Sequence, residues 1–234
     1  MVLPGSGSAD ALTRLAQSEV PNPWISVDYV RDNADALLAA TQQHVELTLI
    51  SVGLGLVLAV PLALLARRFR RLETPVIGFT GFLYTIPSLA LFAVLAPVTG
   101  LTGTTVVIGL TAYTLLVLVR NLLAGLDGVP ADVREAARGM GVGPVRMLLR
   151  VELPLALPTL LAGVRVATVS TVALVTVGVV VSNGGLGQLI FSGLNNNLYR
   201  AEIFTATVLC VLLALVADLL LLLLERLLTP WARR

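Results

Sequence analysis

Five long apolar stretches, parted by short polar segments, organise this chain. They run from about residue 45 to 66, 75 to 98, 104 to 123, 155 to 181 and 203 to 224. A helix of roughly 20 apolar residues crosses a hydrocarbon core of about 30 Å, so the pattern predicts five spans. The first stops at Arg67, Arg68, Arg70 and Arg71, and the second carries Pro87 near its middle. Pro61 and Pro87 both lie inside spans, where neighbouring helices can cover the hydrogen bond a proline breaks.

The polar segments orient the spans. With the N-terminus outside, segments 67–74, 120–154 and 225–234 are cytoplasmic and hold twelve Arg, against Arg14, Arg31 and Arg200 outside. Basic residues concentrate on the cytoplasmic side, so the prediction is N-out, C-in. Residues 1–25 are rich in Gly, Ser and Pro, and residues 1–23 show neither the apolar core nor the basic start of a secretory signal. The first span is therefore expected to act as the insertion signal. From Ser26 to Gln43, Val27, Val30, Ala34, Leu37 and Leu38 recur at near-helical spacing. An amphipathic helix on the outer membrane surface and a plain helical lead-in both fit. His44, at the head of span one, has no metal-spaced partner and reads as structural.

Composition sharpens the class. The chain is 56% hydrophobic and 13% charged, with a mean hydropathy of +0.91; soluble domains carry about twice that share of charge. All sixteen basic residues are Arg, placed at helix ends rather than along one face, which does not suit nucleic-acid binding. Cys210 is the sole cysteine and His44 the sole histidine. An intrachain disulfide is excluded, a multi-Cys metal site likewise, and no metal ligand set is expected.

The longest cytoplasmic loop, 127–154, is too patterned to be a linker. Pro130 suits the first turn of a helix, and Val133, Ala136, Ala137 and Met140 then form one apolar stripe, with Arg134 and Arg138 on the polar face. Gly141-Val142-Gly143 breaks that helix and Pro144 starts another, with Val145, Leu148 and Leu149 on an apolar face. Leu153-Pro154 is expected to end it and turn the chain into span four. Two short helices at a tight Gly turn can enter a groove on a partner protein.

This loop resembles the EAA motif of permease subunits of binding-protein-dependent ABC importers, E-A-A-x3-G-x9-I-x-L-P. Glu135, Ala136, Ala137, Gly141, Leu153 and Pro154 fall at the matching places, and Val151 stands for the usual Ile. The resemblance implies an all-α polytopic fold of the type I ABC importer permease kind, and coupling of residues 131–154 to an ABC ATPase subunit. QHVELTLIS, YTIPSLALF, VELPLALPTLLAGVRVATV and SNGGLGQLIFSG further resemble glycine betaine, carnitine and choline permeases. That subfamily usually has Gly-Ala-Gly-Gly-Leu-Gly where this chain has Val181-Ser182-Asn183-Gly184-Gly185-Leu186-Gly187. Methionine importers share the Gly-Gly-Leu-Gly element, so the resemblance leaves the solute open between an osmolyte and a methionine-like molecule. It also implies a second permease copy or homologue, an extracytoplasmic solute-binding protein and a bacterial cell membrane. The division of the chain is then an extracytoplasmic segment 1–44, a transmembrane domain 45–226 and a cytoplasmic tail 227–234.

Some absences and isolated polar residues complete the expectations. No G-x-x-x-x-G-K-S/T phosphate loop occurs, so this chain is expected to be no enzyme, with ATP and Mg held by the ATPase partner. Aromatic residues make up 5% of the chain and no cage for a quaternary ammonium group stands out, which points to recognition by the binding protein. Tyr84, Thr85, Pro87 and Ser88 form a polar, kinked patch in mid-span, read either as a simple kink or, with Asn183, as part of a translocation path. Arg165 and Asp218 are charges within spans four and five, at matching depth from the inner boundary; either they form an ion pair, or Arg165 snorkels to the interface while Asp218 faces a wet path or is protonated. A secondary transporter would need such ionisable residues together with an internal repeat, and no repeat is evident. A membrane enzyme would need clustered His, Asp or Cys.

Overall fold

The computed structural model describes residues 22–182 and 184–232, and those residues fold into helices without strands. The chain begins with α1 (Val27–Asp32) and α2 (Ala34–Arg68), then a short 3-10 turn at Arg70–Leu72. It continues through α3 (Glu73–Thr85), α4 (Ser88–Thr99), α5 (Gly103–Asp127), α6 (Ala131–Gly139) and α7 (Pro144–Met147). The last helices are α8 (Leu153–Val175), α9 (Gly185–Asn195) and α10 (Arg200–Leu228). Among the described residues, four helical runs are long and apolar enough to cross a membrane: α2, α5, Pro144–Val180 and α10.

The second apolar stretch differs from a straight span. α3 and α4 meet at an angle of 95° across Ile86 and Pro87, so the count reaches five only when this bent pair is taken as one span. Proline denies its predecessor the helical region, and Ile86 is extended at φ −67°, ψ 127°. The break frees backbone groups that lipid cannot satisfy. Tyr113 on α5 answers one of them by donating its hydroxyl to the Ile86 carbonyl, and Thr85 donates to the Phe82 carbonyl at 2.7 Å. Pro61 leaves α2 unbroken.

The membrane lead-in also takes a definite form. Ser26 caps α1 by accepting from the Tyr29 N–H at 3.1 Å, and the helix ends at Asn33. From Ala34 onward the chain is already the first long helix, so residues 34–43 are a helical lead-in and only α1 stands apart. Tyr29, Leu37 and Ala201 pack together, while Val27, Val30 and Leu38 are exposed. Tyr29 and Tyr199 meet edge-on at 5.4 Å, and Arg200 lies over the Trp24 ring. An aromatic group thus exists at the outer face, which the low aromatic content concealed. Burial, with the Glu202 carboxylate beside it, pushes the Tyr29 phenol up to about 12, so it stays neutral.

α5 is the central helix and packs against α2, α3, α4 and α8. Ala59, Ala63 and Ala66 of α2 meet Leu115, Leu118 and Leu122 of α5. In lipid, helices associate through close packing and not through expulsion of water, and small residues permit that approach. A Cβ at Gly163 would lie 2.5 Å from the Asn121 Cβ, and one at Gly125 would lie 2.9 Å from the Ala156 carbonyl oxygen.

The outer ends are held by polar bonds. His44 is fully buried; its Nε2 bonds the Val172 carbonyl at 3.0 Å, and the Leu186 N–H donates to its Nδ1 at 3.2 Å. Nδ1 therefore accepts and Nε2 donates, which fixes a neutral tautomer. Gln43 accepts from the Gly185 N–H at 3.1 Å. Together these side chains satisfy two of the unpaired N–H groups at the start of α9, and Gly185, at φ +66°, supplies the turn. Residues 188–195 belong to α9, which packs on α2 and α10. Replacing His44 by Leu fills its space but strands two buried backbone groups, at about 1–3 kcal/mol each. The His44→Leu protein should melt several degrees lower in detergent. An unchanged melting temperature would show that these bonds carry no stability.

Candidate coupling site at the cytoplasmic face

The EAA-like loop folds into α6, a glycine turn and α7, but its details depart from the expectation. Pro130 sits at the N-cap of α6, one residue before its first turn. Arg134 does not lie idle on a polar face; its Nη2 donates to the Val129 carbonyl at 2.6 Å and ties the helix to its own entry. At the other end, the Val142 N–H donates to the Ala137 carbonyl at 3.1 Å and the Gly141 N–H to the Arg138 carbonyl at 2.9 Å. This crossed pair is a Schellman cap. It requires a left-handed residue at Gly141, where φ is +78°. Space around a Cβ there is open, so the constraint at Gly141 is conformational within this chain.

The second half of the loop does not turn at Leu153-Pro154. The helix starting at Pro144 runs through a π-helical turn, Leu148–Glu152, directly into α8. A proline clashes with the carbonyl four residues earlier in an α-helix. The wider turn just before Pro154 absorbs that conflict, so the chain enters the membrane without a corner. The resulting run of 37 residues is about 55 Å long and projects well beyond the bilayer core.

The predicted apolar stripe splits between two faces. Ala137 and Met147 are buried, whereas Met140, Val145 and Leu149 are 77%, 70% and 57% exposed. Val133 and Ala136 are exposed as well. Glu135 is exposed on α6 and makes no ion pair among the described residues. The cytoplasmic tip therefore presents an apolar edge beside Glu135 and Arg138, on a backbone braced at both ends.

The brace is a set of charges that sequence spacing did not reveal. Arg67, at the end of α2, makes a bidentate pair with Glu152 at 2.7 and 2.8 Å. Its Nε lies 3.6 Å from Asp127 at the end of α5. Glu152 is buried. One guanidinium thus joins the ends of α2 and α5 to the start of α8, and it fixes both ends of the loop. The available signal was a single acid at the inner membrane border before Leu153-Pro154, which burial would oblige to find a cation.

The other candidate residues fall into two groups. Arg165 and Asp218 meet in a bidentate pair at 2.9 and 3.0 Å, and Glu225 approaches Arg165 at 3.3 Å. The pair borders an open cavity of about 510 Å³ between α8 and α10, with Val166, Val169, Ser170 and Leu215. Tyr84, Thr85, Pro87 and Ser88 gather at the α3–α4 break, where Tyr84 packs edge-on against Tyr113 at 5.8 Å. Tyr84, Thr85 and Pro87 are exposed on this chain, and none of the four lines the Arg165 cavity. Asn183 lies outside the described residues. No group of three or more His, Cys, Asp or Glu suited to a metal occurs among them.

Residues 51–234 match the family described as binding-protein-dependent transport system inner membrane component. The chain belongs to that family. This permease is 39% identical over 210 residues to the osmoprotectant import permease protein OsmW of Salmonella typhimurium, covering 88% of this chain and 97% of that one. It is 36% identical over 205 residues to the choline transport system permease protein OpuBB of Bacillus subtilis, covering 87% and 94%. In fold, the permease is similar to the MetNI methionine ABC transporter in inward-facing conformations, with a TM-score of 0.75, 23% identity and coverage of 82% and 96%. It is also similar to an amino acid ABC transporter, with a TM-score of 0.71, 17% identity and coverage of 86% and 98%. It is an all-helical, multi-pass inner membrane protein with the type I importer permease fold.

The brace makes a testable demand on this permease. Removing one partner of a buried ion pair strands the other, at a cost on the order of 3 kcal/mol. Arg67→Met and Glu152→Leu should each lower the melting temperature of the purified permease, and the double variant should recover much of the loss. Additive losses in that cycle would mean the two side chains do not interact.

Proposed function

We propose that this permease forms the translocation path of an ATP-driven importer for a small quaternary-ammonium osmolyte such as glycine betaine, carnitine or choline. The observation that carries this reading is 39% identity along 97% of an osmoprotectant import permease. Relatives described as choline and as glycine betaine/carnitine/choline permeases, at 36% and 35% identity, support it. Two copies, or one copy with a homologous permease, enclose the path. An extracytoplasmic binding protein delivers the solute, and two ABC ATPase subunits bind ATP and Mg below.

The loop couples the two sides. In this reading Glu135, Ala136, Ala137 and Gly141 present α6 to a groove on the ATPase, with Met140, Val145 and Leu149 as apolar contacts. Leu153 and Pro154 carry displacement into α8. At the α3–α4 break, Tyr84, Thr85, Pro87 and Ser88 line part of the path. An aromatic face there suits a weakly held quaternary ammonium group. Asn183 belongs near the outer mouth. The Arg165–Asp218 pair is structural and holds α10 against α8.

Reconstitution with the cognate binding protein and ATPase tests the solute assignment. Uptake of radiolabelled glycine betaine, carnitine or choline should be saturable and should require both ATP and the binding protein. Uptake of methionine but of no quaternary amine would overturn the assignment.

The coupling assignment has its own test. At Gly141 any side chain meets backbone strain of about 1 kcal/mol or more, too little to unfold the spans, while a charged residue at the turn obstructs docking. Gly141→Asp should insert normally, lose ATPase co-purification and abolish uptake, whereas Glu135→Ala should only weaken it. Full uptake by inserted Gly141→Asp would remove the coupling role from residues 131–154.

A further inference from the structure

An open groove of about 520 Å³ runs between the cytoplasmic end of α2 and the start of the α7–α8 helix, with Val142 of the glycine turn at its edge. Its floor is apolar, formed by Leu64, Met147 and Leu148, and its rim carries Arg67, Arg68 and Arg138. Glu152 is the one acid lining it, and that carboxylate is taken up by Arg67. Arg68 and Arg138 form no ion pair among the described residues. Arg68 instead lies over the ring of its neighbour Phe69 at 5.5 Å. The groove therefore offers two uncompensated guanidinium groups above an apolar floor.

Its level in the membrane selects the ligand. α2 leaves the bilayer at Arg67 and Arg68, and Leu64 lies four residues deeper, about 6 Å inside. The groove thus straddles the boundary between headgroups and acyl chains on the cytoplasmic side. A soluble anion would leave the apolar floor uncovered. The exposed edge of Met140, Val145 and Leu149 is no part of the lining, so the groove and that apolar edge are different surfaces of the same loop. Guanidinium groups bind phosphate in paired hydrogen bonds, and basic pockets between helices at the inner face hold anionic headgroups.

We propose that this groove binds one anionic phospholipid of the inner leaflet. Its phosphate and glycerol sit between Arg68 and Arg138 and against Met147 and Leu148, and the upper part of an acyl chain covers Leu64. The lipid bridges α2 and the loop alongside the Arg67–Glu152 pair. The proposal rests on the N-out orientation and is independent of the solute.

Native mass spectrometry of the full-length, delipidated permease tests it, with phosphatidylglycerol or phosphatidylcholine of identical acyl chains added back. One phosphatidylglycerol should be retained per chain in preference to phosphatidylcholine. Arg68→Gln with Arg138→Gln should weaken that binding about 30-fold, and Arg71→Gln should leave it unchanged. Arg68→Lys with Arg138→Lys keeps the charge and should keep the preference, which separates loss of charge from loss of fold. Equal retention of the two lipids would overturn the proposal. So would an unaffected Gln double variant, or an equal loss in Arg71→Gln. Displacement by inorganic phosphate would make the site one for free anions, and complete displacement by the ATPase subunit would make it a protein contact.

Discussion

Glu152 cannot be buried at the inner membrane border without a cation, and the position of Arg67 follows from that requirement. A buried carboxylate left alone costs several kcal/mol, and the pair recovers this only with good geometry. The bidentate bonds provide it, and Asp127 adds a second carboxylate to the same guanidinium. The residues involved end α2, end α5 and precede α8. The cytoplasmic loop between Asp127 and Glu152 is thus fastened at both ends to one side chain. With the Schellman cap at Gly141 and the unbroken π-to-α run into α8, it is a stiff projection and not a tether.

Above that anchor the bundle is held by small residues and by hydroxyls bonded within their own helices. Thr48, Thr168 and Thr171 each donate to the carbonyl four residues earlier, so they occupy helix contacts without demanding partners. α10 is the exception. No residue in its most apolar window is buried, and Leu212, Leu215, Leu219 and Leu220 are exposed. Arg165 engages both Asp218 and Glu225, which fasten α10 to α8 through charge beside their direct packing.

Legibility in the sequence followed the range of the interactions. The spans, their orientation and the glycine turn are local features written in hydropathy, Arg placement and the need for φ > 0. Arg165 and Asp218 could be matched because so few charges lie in the spans and their depths agree. Arg67 and Glu152 could not, since they are 85 positions apart and each reads alone as an ordinary helix-end charge. At Pro87 a kink was legible, but not its sharpness, a 95° break. Pre-proline geometry restricts Ile86 alone, but the broken backbone is tolerable because Tyr113, on another helix, reaches the freed carbonyl. Pro154 misled in the opposite direction: a π turn spreads its conflict over five residues and keeps the helix continuous.

Stiffness at the cytoplasmic end decides where the rest of the chain can yield. A force on α6 reaches α2, α5 and α8 together, because one guanidinium holds all three. Those helices cannot shear at that end without parting Arg67 from Glu152. Within the membrane, the described backbone departs from α-helix at Ile86–Pro87 and again at the 3-10 turn Val177–Val180 ahead of Gly184 and Gly185. At these two places fewer backbone bonds resist a change of angle, and the bonds that brace them come from other helices: the Tyr113 hydroxyl at one, Gln43 and His44 at the other. The fold therefore concentrates rigidity at the cytoplasmic end and leaves compliance toward the middle and outer membrane, the distribution that the coupling proposed for residues 131–154 requires.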